Sequence, residues 1–390
     1  MYSEERIMKK GNPIALLPIG VFLVMYLGLG LFFEYGLKIE MGFYNIPIVI
    51  AFMVAILVAC LQNRELSFDK KLEIMGQGVG DKNIITMLLI FLTAGAFVGV
   101  VGRSSAQSVA YFMLSIIPPR FAVAVLFVVA CFVSTAMGTS VGTITLITPI
   151  AVEVASASGF SIPLCVGTVV GGAMFGDNLS FISDTTIAAC NGQGCAMKDK
   201  FKGNFLIALP AAVATLVLIL ILSANQNVSA IVKEYSLLQI LPYVLVLIGG
   251  VAGINVFVVL LMGIVSGAVI MMFQSGQPLF NELLANVGNG MAVLPAVSAY
   301  VVTMLKTIIP DLLANMGSGA SGMFETSMVA ILVAAMCALI RVHGGFDALL
   351  SFIQSVFKGN KGGQLGMGLL VGAMDIATAN NTVAIVMANP

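Results

Sequence analysis

The sequence predicts an all-α membrane protein that crosses the bilayer many times. Three observations support this: a composition too apolar for water, a series of bilayer-length segments, and interrupted segments in matching positions of two halves. The 390 residues are 59% hydrophobic and 9% charged, with a mean hydropathy of +1.06. Soluble domains carry about 25% charged residues. This chain therefore has too few polar side chains to cover a surface in water, and membrane lipid is its expected partner.

Composition also excludes other classes of protein. The 18 basic and 18 acidic residues give zero formal net charge, and no basic block occurs, so a nucleic-acid partner is not expected. The apolar runs are continuous, whereas the strands of an outer-membrane barrel show only weak alternating hydrophobicity. A polytopic helical protein remains.

Eleven segments approach the roughly 20 apolar residues that a helix needs to cross a bilayer. They are 13–33, 45–61, 84–102, 121–137, 161–175, 204–223, 237–252, 254–272, 292–309, 324–341 and 365–387. Two shorter stretches, 143–155 and 180–190, are predicted as half-spans. Basic residues cluster before the first span and after the second, which puts the N-terminus in the cytoplasm.

An internal duplication is predicted from two pairs of similar segments. Ala94–Met113 aligns with Ala334–Ile353, and Ser134–Pro149 aligns with Asp375–Pro390, at offsets of 240 and 241 residues. Two matches at nearly one offset favour two structural repeats.

The second pair of segments consists of apolar helices that are each interrupted by a polar cluster. These clusters are Thr139-Ser140 and Asn380-Asn381, and Asp375 precedes the second as a weaker candidate. Non-helical backbone survives at membrane depth only when it is buried in protein or lines a cavity. Paired interruptions of this kind indicate a transporter's binding site near the bilayer midplane. The alternative is a packing break, where small residues let helices approach closely.

The densest polar cluster of the chain is GDNLSFISDTT, residues 176–186, which lies between two apolar runs. Carboxylates and amides are rare inside a membrane protein unless they are used. The candidate ion-binding residues here are Asp177, Asn178, Ser180, Ser183, Asp184 and Thr185. A turn exposed to water is the alternative for this stretch.

The chemistry of this cluster suits an alkali cation. If the segment were helical, Asp177 and Asp184 would share one face, with Ser180 near it. Carboxylate and hydroxyl oxygens are the ligands that hard cations prefer. Burial in a low dielectric raises the pKa of a carboxyl group, and a second carboxylate raises one of the two further. Asp177 and Asp184 are therefore a hypothetical sodium site at which a proton competes with the metal ion.

This segment resembles the GDxxSPxSDTT signature of the NhaC-type sodium/proton antiporter family. The matching positions are Asp177, Ser180, Ser183, Asp184 and Thr185, with Asn178 at a variable position and Phe181 where proline is common. The resemblance implies inverted repeats with re-entrant segments and broken helices. It also implies cation-coupled exchange across the cytoplasmic membrane, with transported Na⁺ and H⁺ and no resident cofactor. Some relatives exchange malate or amino acids instead.

The two repeats are predicted over residues 1–223 and 224–390. At the offset of 241, the counterpart of Asp177 would lie beyond Pro390. We therefore expect the second repeat to be cut short.

The leading functional hypothesis is sodium/proton antiport by alternating access, with a shared carboxylate site. An alternative in the same class is coupled transport of a small organic anion or amino acid, although Arg103, Arg120 and Arg341 all lie at span ends and leave no arginine to pair with such a substrate. A third possibility is an intramembrane aspartyl hydrolase, which needs two carboxylates converging on one water. We expect a transporter rather than an enzyme, and a homodimer is left open.

Overall fold

The computed structural model is helical throughout the part of the chain that it describes, with no strand in that part. The described residues are 11–40, 42–180, 183, 185–186, 189–190, 194–224, 234–252, 254–288, 292–357, 359–378, 381 and 385. Three of the basic residues used to predict the orientation of the N-terminus, Arg6, Lys9 and Lys10, lie outside this part.

Sixteen helices are numbered here in chain order. They are α1 (Pro13–Gly36), α2 (Ile48–Gln62), α3 (Phe68–Val79), α4 (Lys82–Gly102), α5 (Ser104–Ile116), α6 (Pro119–Met137), α7 (Ser140–Ser158), α8 (Ile162–Leu179), α9 (Met197–Ala224), α10 (Leu237–Val251), α11 (Val256–Gly288), α12 (Val293–Thr303), α13 (Ile309–Ser321), α14 (Phe324–Val342), α15 (Gly345–Val356) and α16 (Gly359–Thr378). A π-helical turn, Met304–Ile308, joins α12 to α13.

Helix length and composition make this a multi-pass membrane protein. Seven helical stretches of the described chain are long and apolar enough to cross a membrane, and a bent pair brings the number to as many as eight. That pair is α5 and α6, whose axes differ by 119° at the break between them, as in a broken span or a re-entrant loop.

The predicted half-span at 143–155 is wrong, because α7 is a full helix of 19 residues. Its hydroxyl groups bond back to the helix: Thr143 Oγ1 donates to the Thr139 carbonyl and Thr145 Oγ1 to the Val141 carbonyl, both at 2.9 Å. Because these polar side chains are satisfied within the helix, no loop is needed. The predicted span at 254–272 is also too short, since α11 continues to Gly288.

Tertiary contacts divide the chain into two compact units. The first contains residues 1–88, 191–194 and 324–390, and its core packs Phe52 and Ala55 of α2 against Val333, Met336 and Ile340 of α14. Helix α3 also packs on α14, at Gly78, where a Cβ atom would clash with Ala334 and Ala338. Burial of these apolar faces holds the unit together.

The second unit contains residues 89–190 and 195–323. Its core is built on α6, α7 and α8, with α9, α10 and α11 packed around them. Helix α8 approaches α6 unusually closely, because Gly172 and Gly176 face the α6 backbone and a Cβ atom at either position would clash with it. Small residues permit such contact between membrane helices.

Two series of three helices have matching lengths. Helices α4, α5 and α6 have 21, 13 and 19 residues, and α14, α15 and α16 have 19, 12 and 20. In both series a glycine with positive φ separates the first helix from the second: Gly102 at 67° and Gly344 at 80°. Helix ends in the two series correspond at offsets of 240 to 242 residues.

Candidate ion-binding site

The site begins at the break between α6 and α7, within the interruption predicted at residues 138–142. Gly138 ends α6 in the left-handed conformation, with φ 67° and ψ 29°, and its N–H donates to the Ser134 carbonyl at 2.9 Å. Thr139 is extended and caps α7, with its hydroxyl accepting from the Gly142 N–H at 3.3 Å. The carboxyl end of one helix therefore lies beside the amino end of the next. Helix amino ends favour anions and carboxyl ends favour cations.

Helix α8 brings a carboxylate to this break. Gly176 allows α8 to lie against the α6 backbone next to Cys131 and Ser134, and Ser134 Oγ donates to the Ala173 carbonyl at 2.6 Å. The residue that follows Gly176 is Asp177, which is only 4% exposed. The glycine of the motif thus has a packing role that positions its acidic neighbour.

The Asp177 carboxylate is surrounded by hydroxyl groups. Ser183 Oγ donates to Oδ1 at 2.7 Å, while Thr185 Oγ1 and Ser140 Oγ donate to Oδ2 at 3.4 and 3.5 Å. The Ser183 and Thr185 hydroxyl oxygens are 2.7 Å apart. All four residues are buried. Since Ser140 is the first residue of α7, the carboxylate lies at the positive end of that helix.

The condition for Asp177 and Asp184 to share a helix face is not met. Helix α8 ends at Leu179, and Ser180 is extended, with φ −73° and ψ 139°. Its N–H donates to the Asp177 carbonyl at 3.2 Å. Because α8 ends at Leu179, Ser183 does not reach Asp177 along a face of this helix.

The predicted residues do not all face Asp177. The Asn178 side chain is exposed and donates to the Met174 carbonyl at 3.0 Å, and the Thr139 hydroxyl caps α7. Asp184 and Asn380 lie outside the described residues. Asp375 and Asn381 belong to the first unit. With the amide nitrogen of Asn381 turned toward Asp375, it donates to Oδ2 at 2.9 Å and to Oδ1 at 2.5 Å.

Sequence reasoning missed a lysine beside the site. Lys200 Nζ donates to the Asn178 carbonyl at 2.5 Å and to Thr186 Oγ1 at 2.6 Å, and Asn204 Nδ2 donates to the same carbonyl at 3.4 Å. Lys200 therefore joins the carboxyl end of α8 to the segment that carries Ser183 and Thr185. A basic cluster at 198–202 was visible in the sequence, but only as the flank of the next span.

The chemistry of this arrangement suits a cation. A buried carboxylate with hydroxyl groups provides oxygen ligands for an alkali cation and matches the preference of hard metal ions. The same hydroxyls donate to the carboxylate when no metal ion is bound, because a hydroxyl group can rotate between donating and accepting. Fold and site together define a polytopic helical membrane protein with a buried, oxygen-lined acidic site.

Comparisons with known proteins agree with this class. Residues 12–224 match the model of the Na+/H+ antiporter family, and the chain belongs to this family. It is 25% identical over 319 residues to the Na(+)/H(+) antiporter NhaC of Alkalihalophilus pseudofirmus, covering 78% of this chain and 66% of the relative. It is 26% identical over 202 residues to the malate-2H(+)/Na(+)-lactate antiporter of Bacillus subtilis, covering 51% of this chain and 41% of that protein.

These matches confirm the resemblance to NhaC-type antiporters. The chain spans less than two thirds of the length of either relative. Both relatives are named as antiporters, which are transporters rather than enzymes, so the hydrolase alternative is not supported. No solved structure matches the chain significantly.

Proposed function

We propose that this protein is a secondary active transporter that exchanges Na⁺ for H⁺ across the cytoplasmic membrane, with Asp177 as the shared binding group. The observation that carries the proposal is a buried carboxylate whose described partners are the hydroxyl groups of Ser140, Ser183 and Thr185. The deprotonated carboxylate binds sodium together with hydroxyl oxygens. Protonation removes its negative charge and releases the metal ion.

Competition between the two ions produces exchange when the site opens to one side at a time. A proton arriving from one side displaces sodium there, and deprotonation on the other side recruits the next sodium ion. Such a cycle requires access to alternate between the two faces of the membrane, usually by movement of one repeat against the other. Asp184, which lies between Ser183 and Thr185 in the sequence, is the second carboxylate in this proposal.

The proposed fold is a duplicated one, with the repeats in inverted orientation. Support comes from the series α4–α5–α6 and α14–α15–α16, which agree in helix length, glycine position and offset. In this proposal Asn380 and Asn381 occupy in the second repeat the place that Thr139 and Ser140 occupy in the first, and Asp375 corresponds to Ser134. The cytoplasmic position of the N-terminus and a possible homodimer belong to the proposal as well.

The experiment is sodium-driven proton flux in proteoliposomes made with the purified chain. Asp177→Asn should abolish exchange while expression and elution on size exclusion persist, because the amide cannot take up and release a proton. Asp184→Asn should behave in the same way. Asp199→Asn removes an exposed acid at the start of α9 and serves as the matched control. Normal flux in Asp177→Asn would refute the assignment of the shared site.

A second candidate function is coupled exchange of a small organic acid. One observation favours it: a relative that aligns with half of this chain is named as an antiporter of malate and lactate. Addition of organic acids on the side opposite to sodium should then accelerate sodium flux in the same vesicles. A flux that depends on sodium and pH alone would leave the first function as the sole account.

A further inference from the structure

A polar crevice lies in the second unit, at the break between α4 and α5. One cavity of about 290 Å³ is lined by residues of α4, α5, α10, α11 and α13, and a neighbouring one of about 320 Å³ shares Ser104 and Gln239 with it. Their size falls in the range of small-molecule sites, roughly 300 to 1,000 Å³. None of the residues that bond to Asp177 lines either cavity.

Hydrogen-bonding side chains from four helices converge on this crevice, which we call the Gly102 crevice. They are Ser104, Ser105, Gln239, Gln274 and Asn315. The Gln274 and Asn315 side chains are exposed, and Gln274 lies on α11 directly after an apolar stretch. An amide that faces lipid without a partner is costly by about 4 to 8 kcal/mol on transfer scales. Both amides line the crevice, where water or a polar ligand can satisfy their remaining hydrogen-bonding groups.

Close helix packing fixes Asn315 in this position. Gly95 and Gly99 of α4 lie against the backbone of α13 at Gly319 and Asn315, where a Cβ atom on either α4 glycine would clash. The Asn315 amide nitrogen donates to the Met271 sulfur at 3.8 Å. A thioether is a weak acceptor, which a ligand oxygen would readily replace.

The break at Gly102 gives the crevice its electrostatic character. Gly102 has φ 67° and ψ 172°, so the helix stops and begins again at Ser104. The amino end of α5 borders the cavity, because Ser104 and Ser105 line it. Helix amino ends attract carboxylates. At the other end, Glu234 lines the neighbouring cavity together with Ser108 and Tyr111.

We propose that the Gly102 crevice binds a small organic carboxylate that carries a hydroxyl or amino group. The carboxylate lies at the amino end of α5 with the Asn315 and Gln274 amides as donors, and the second polar group points toward Gln239 and Glu234. The site is separate from the Asp177 cluster, and its role as a substrate site rests on the proposed transport function.

The test is thermal stabilisation of the purified chain in detergent by L-lactate, L-malate, L-alanine and acetate, with sodium chloride as the ionic-strength control. Lactate, malate or alanine should raise the unfolding temperature in a saturable way, and acetate should act more weakly. Asn315→Leu and Gln274→Leu should each weaken binding by about tenfold, equivalent to about 1.4 kcal/mol. Gln277→Leu, on the same helix as Gln274 but outside the lining, should leave binding unchanged.

Further variants separate the two possible ligands and the two proposals. Glu234→Gln should weaken binding of alanine but not of lactate, because only the amine carries a positive charge. Asp177→Asn should abolish sodium-driven flux and leave carboxylate binding intact. The Gly102 crevice proposal would be overturned if none of the acids gave saturable stabilisation, or if Gln274→Leu and Gln277→Leu had equal effects. Either result would leave the Asp177 proposal standing. Carboxylate binding without sodium-driven flux would overturn the Asp177 proposal and leave the Gly102 crevice standing.

Discussion

The two series of helices, α4–α5–α6 and α14–α15–α16, have one layout and different chemistry. In both, a span ends at a glycine with positive φ, a short amphipathic helix follows, and a third helix runs toward a polar interruption. The first series leads to Thr139 and Ser140, where Ser140 donates to Asp177. The second leads to Asp375 and Asn381, which bond to each other.

This difference separates the features that the two series share from those that they do not. Backbone breaks depend on a few positions, such as Gly102 and Gly344, because only glycine adopts their conformation without strain. Side chains at the interruption are free to differ, provided that each polar group has a partner. Hydroxyl groups around Asp177 can either donate or accept, whereas an amide holds Asp375 with a fixed donor. Our proposal that a proton and a metal ion bind in turn therefore concerns the Asp177 cluster.

The largest expected effect separates the two carboxylates. Asp177→Asn should abolish sodium-driven proton flux in proteoliposomes, whereas Asp375→Asn should retain measurable exchange, because Asp375 is half-buried and held by an amide. Comparison of initial flux rates at matched protein content gives the result. Equal loss of flux in both variants would show that Asp177 and Asp375 contribute alike to exchange. It would contradict the difference in chemistry between the two series.

Deletion of individual hydroxyl groups should have a graded effect. Ser183→Ala removes the shortest bond to Asp177 and should weaken the apparent sodium affinity of exchange by about tenfold, or about 1.4 kcal/mol. Thr185→Val removes a longer bond and should weaken it by roughly threefold.

Ser156→Ala is the control for these two variants, since this exposed hydroxyl only bonds back to Val152. The measurement is the sodium concentration that gives half-maximal flux. An unchanged sodium affinity in Ser183→Ala would contradict the ligand role of that hydroxyl.

Backbone strain at the shared break should lower stability by a smaller amount. Gly102 occupies a region of φ and ψ that is almost restricted to glycine, so Gly102→Ala should destabilise the fold by about 1 to 3 kcal/mol. A Cβ atom there would have Ser104 Oγ at 3.8 Å as its nearest neighbour, so crowding does not contribute. Gly344→Ala should change stability in the same direction.

Gly167→Ala places the same methyl group within helix α8, where nothing lies within 4 Å of it, and should not lower the unfolding temperature. Thermal unfolding in detergent distinguishes the variants. A Gly102→Ala protein as stable as Gly167→Ala would mean that the break is not a strained feature of the fold.

The smallest expected effect is a pH dependence of stability that arises at His343 in the first unit. His343 follows α14, is buried, and has no hydrogen-bond partner for either ring nitrogen among the described residues. Burial, and then the charge of Lys71, lower the pKa of His343 below its ordinary value. Near pH 6 the unfolded state therefore binds more protons than the folded state. The stability that neutral His343 contributes is complete above about pH 6.5 and is lost as the pH falls through the folded-state pKa.

Unfolding temperatures at pH 7.5 and 5.5 test this directly. The difference between the two pH values should be smaller in His343→Gln than in the unchanged protein, because glutamine does not titrate. The same dependence in both proteins would assign the pH effect to other groups.

Much of the fold could be predicted from the sequence, because the length of an apolar segment determines whether it can span the membrane. The break at Gly138 and Thr139 could be predicted because it interrupts an otherwise continuous apolar run. Helix α7 was underestimated, since Thr143 and Thr145 look polar in the sequence but bond to their own helix. At the site, Asp177, Ser183 and Thr185 were predicted as ion-binding residues, and the structure brings them together. Lys200 was missed because its contact with Asn178 depends on how α9 packs beside α8, which no local pattern encodes.

The central claim is that one proton and one sodium ion compete for Asp177, and proton release measures this directly. Sodium chloride is added to the purified chain in a weakly buffered solution near neutral pH, with choline chloride as the control, and the change in pH is recorded. The account predicts that sodium, but not choline, releases protons from the unchanged protein, and that Asp177→Asn releases none. Equal release from Asp177→Asn would contradict it.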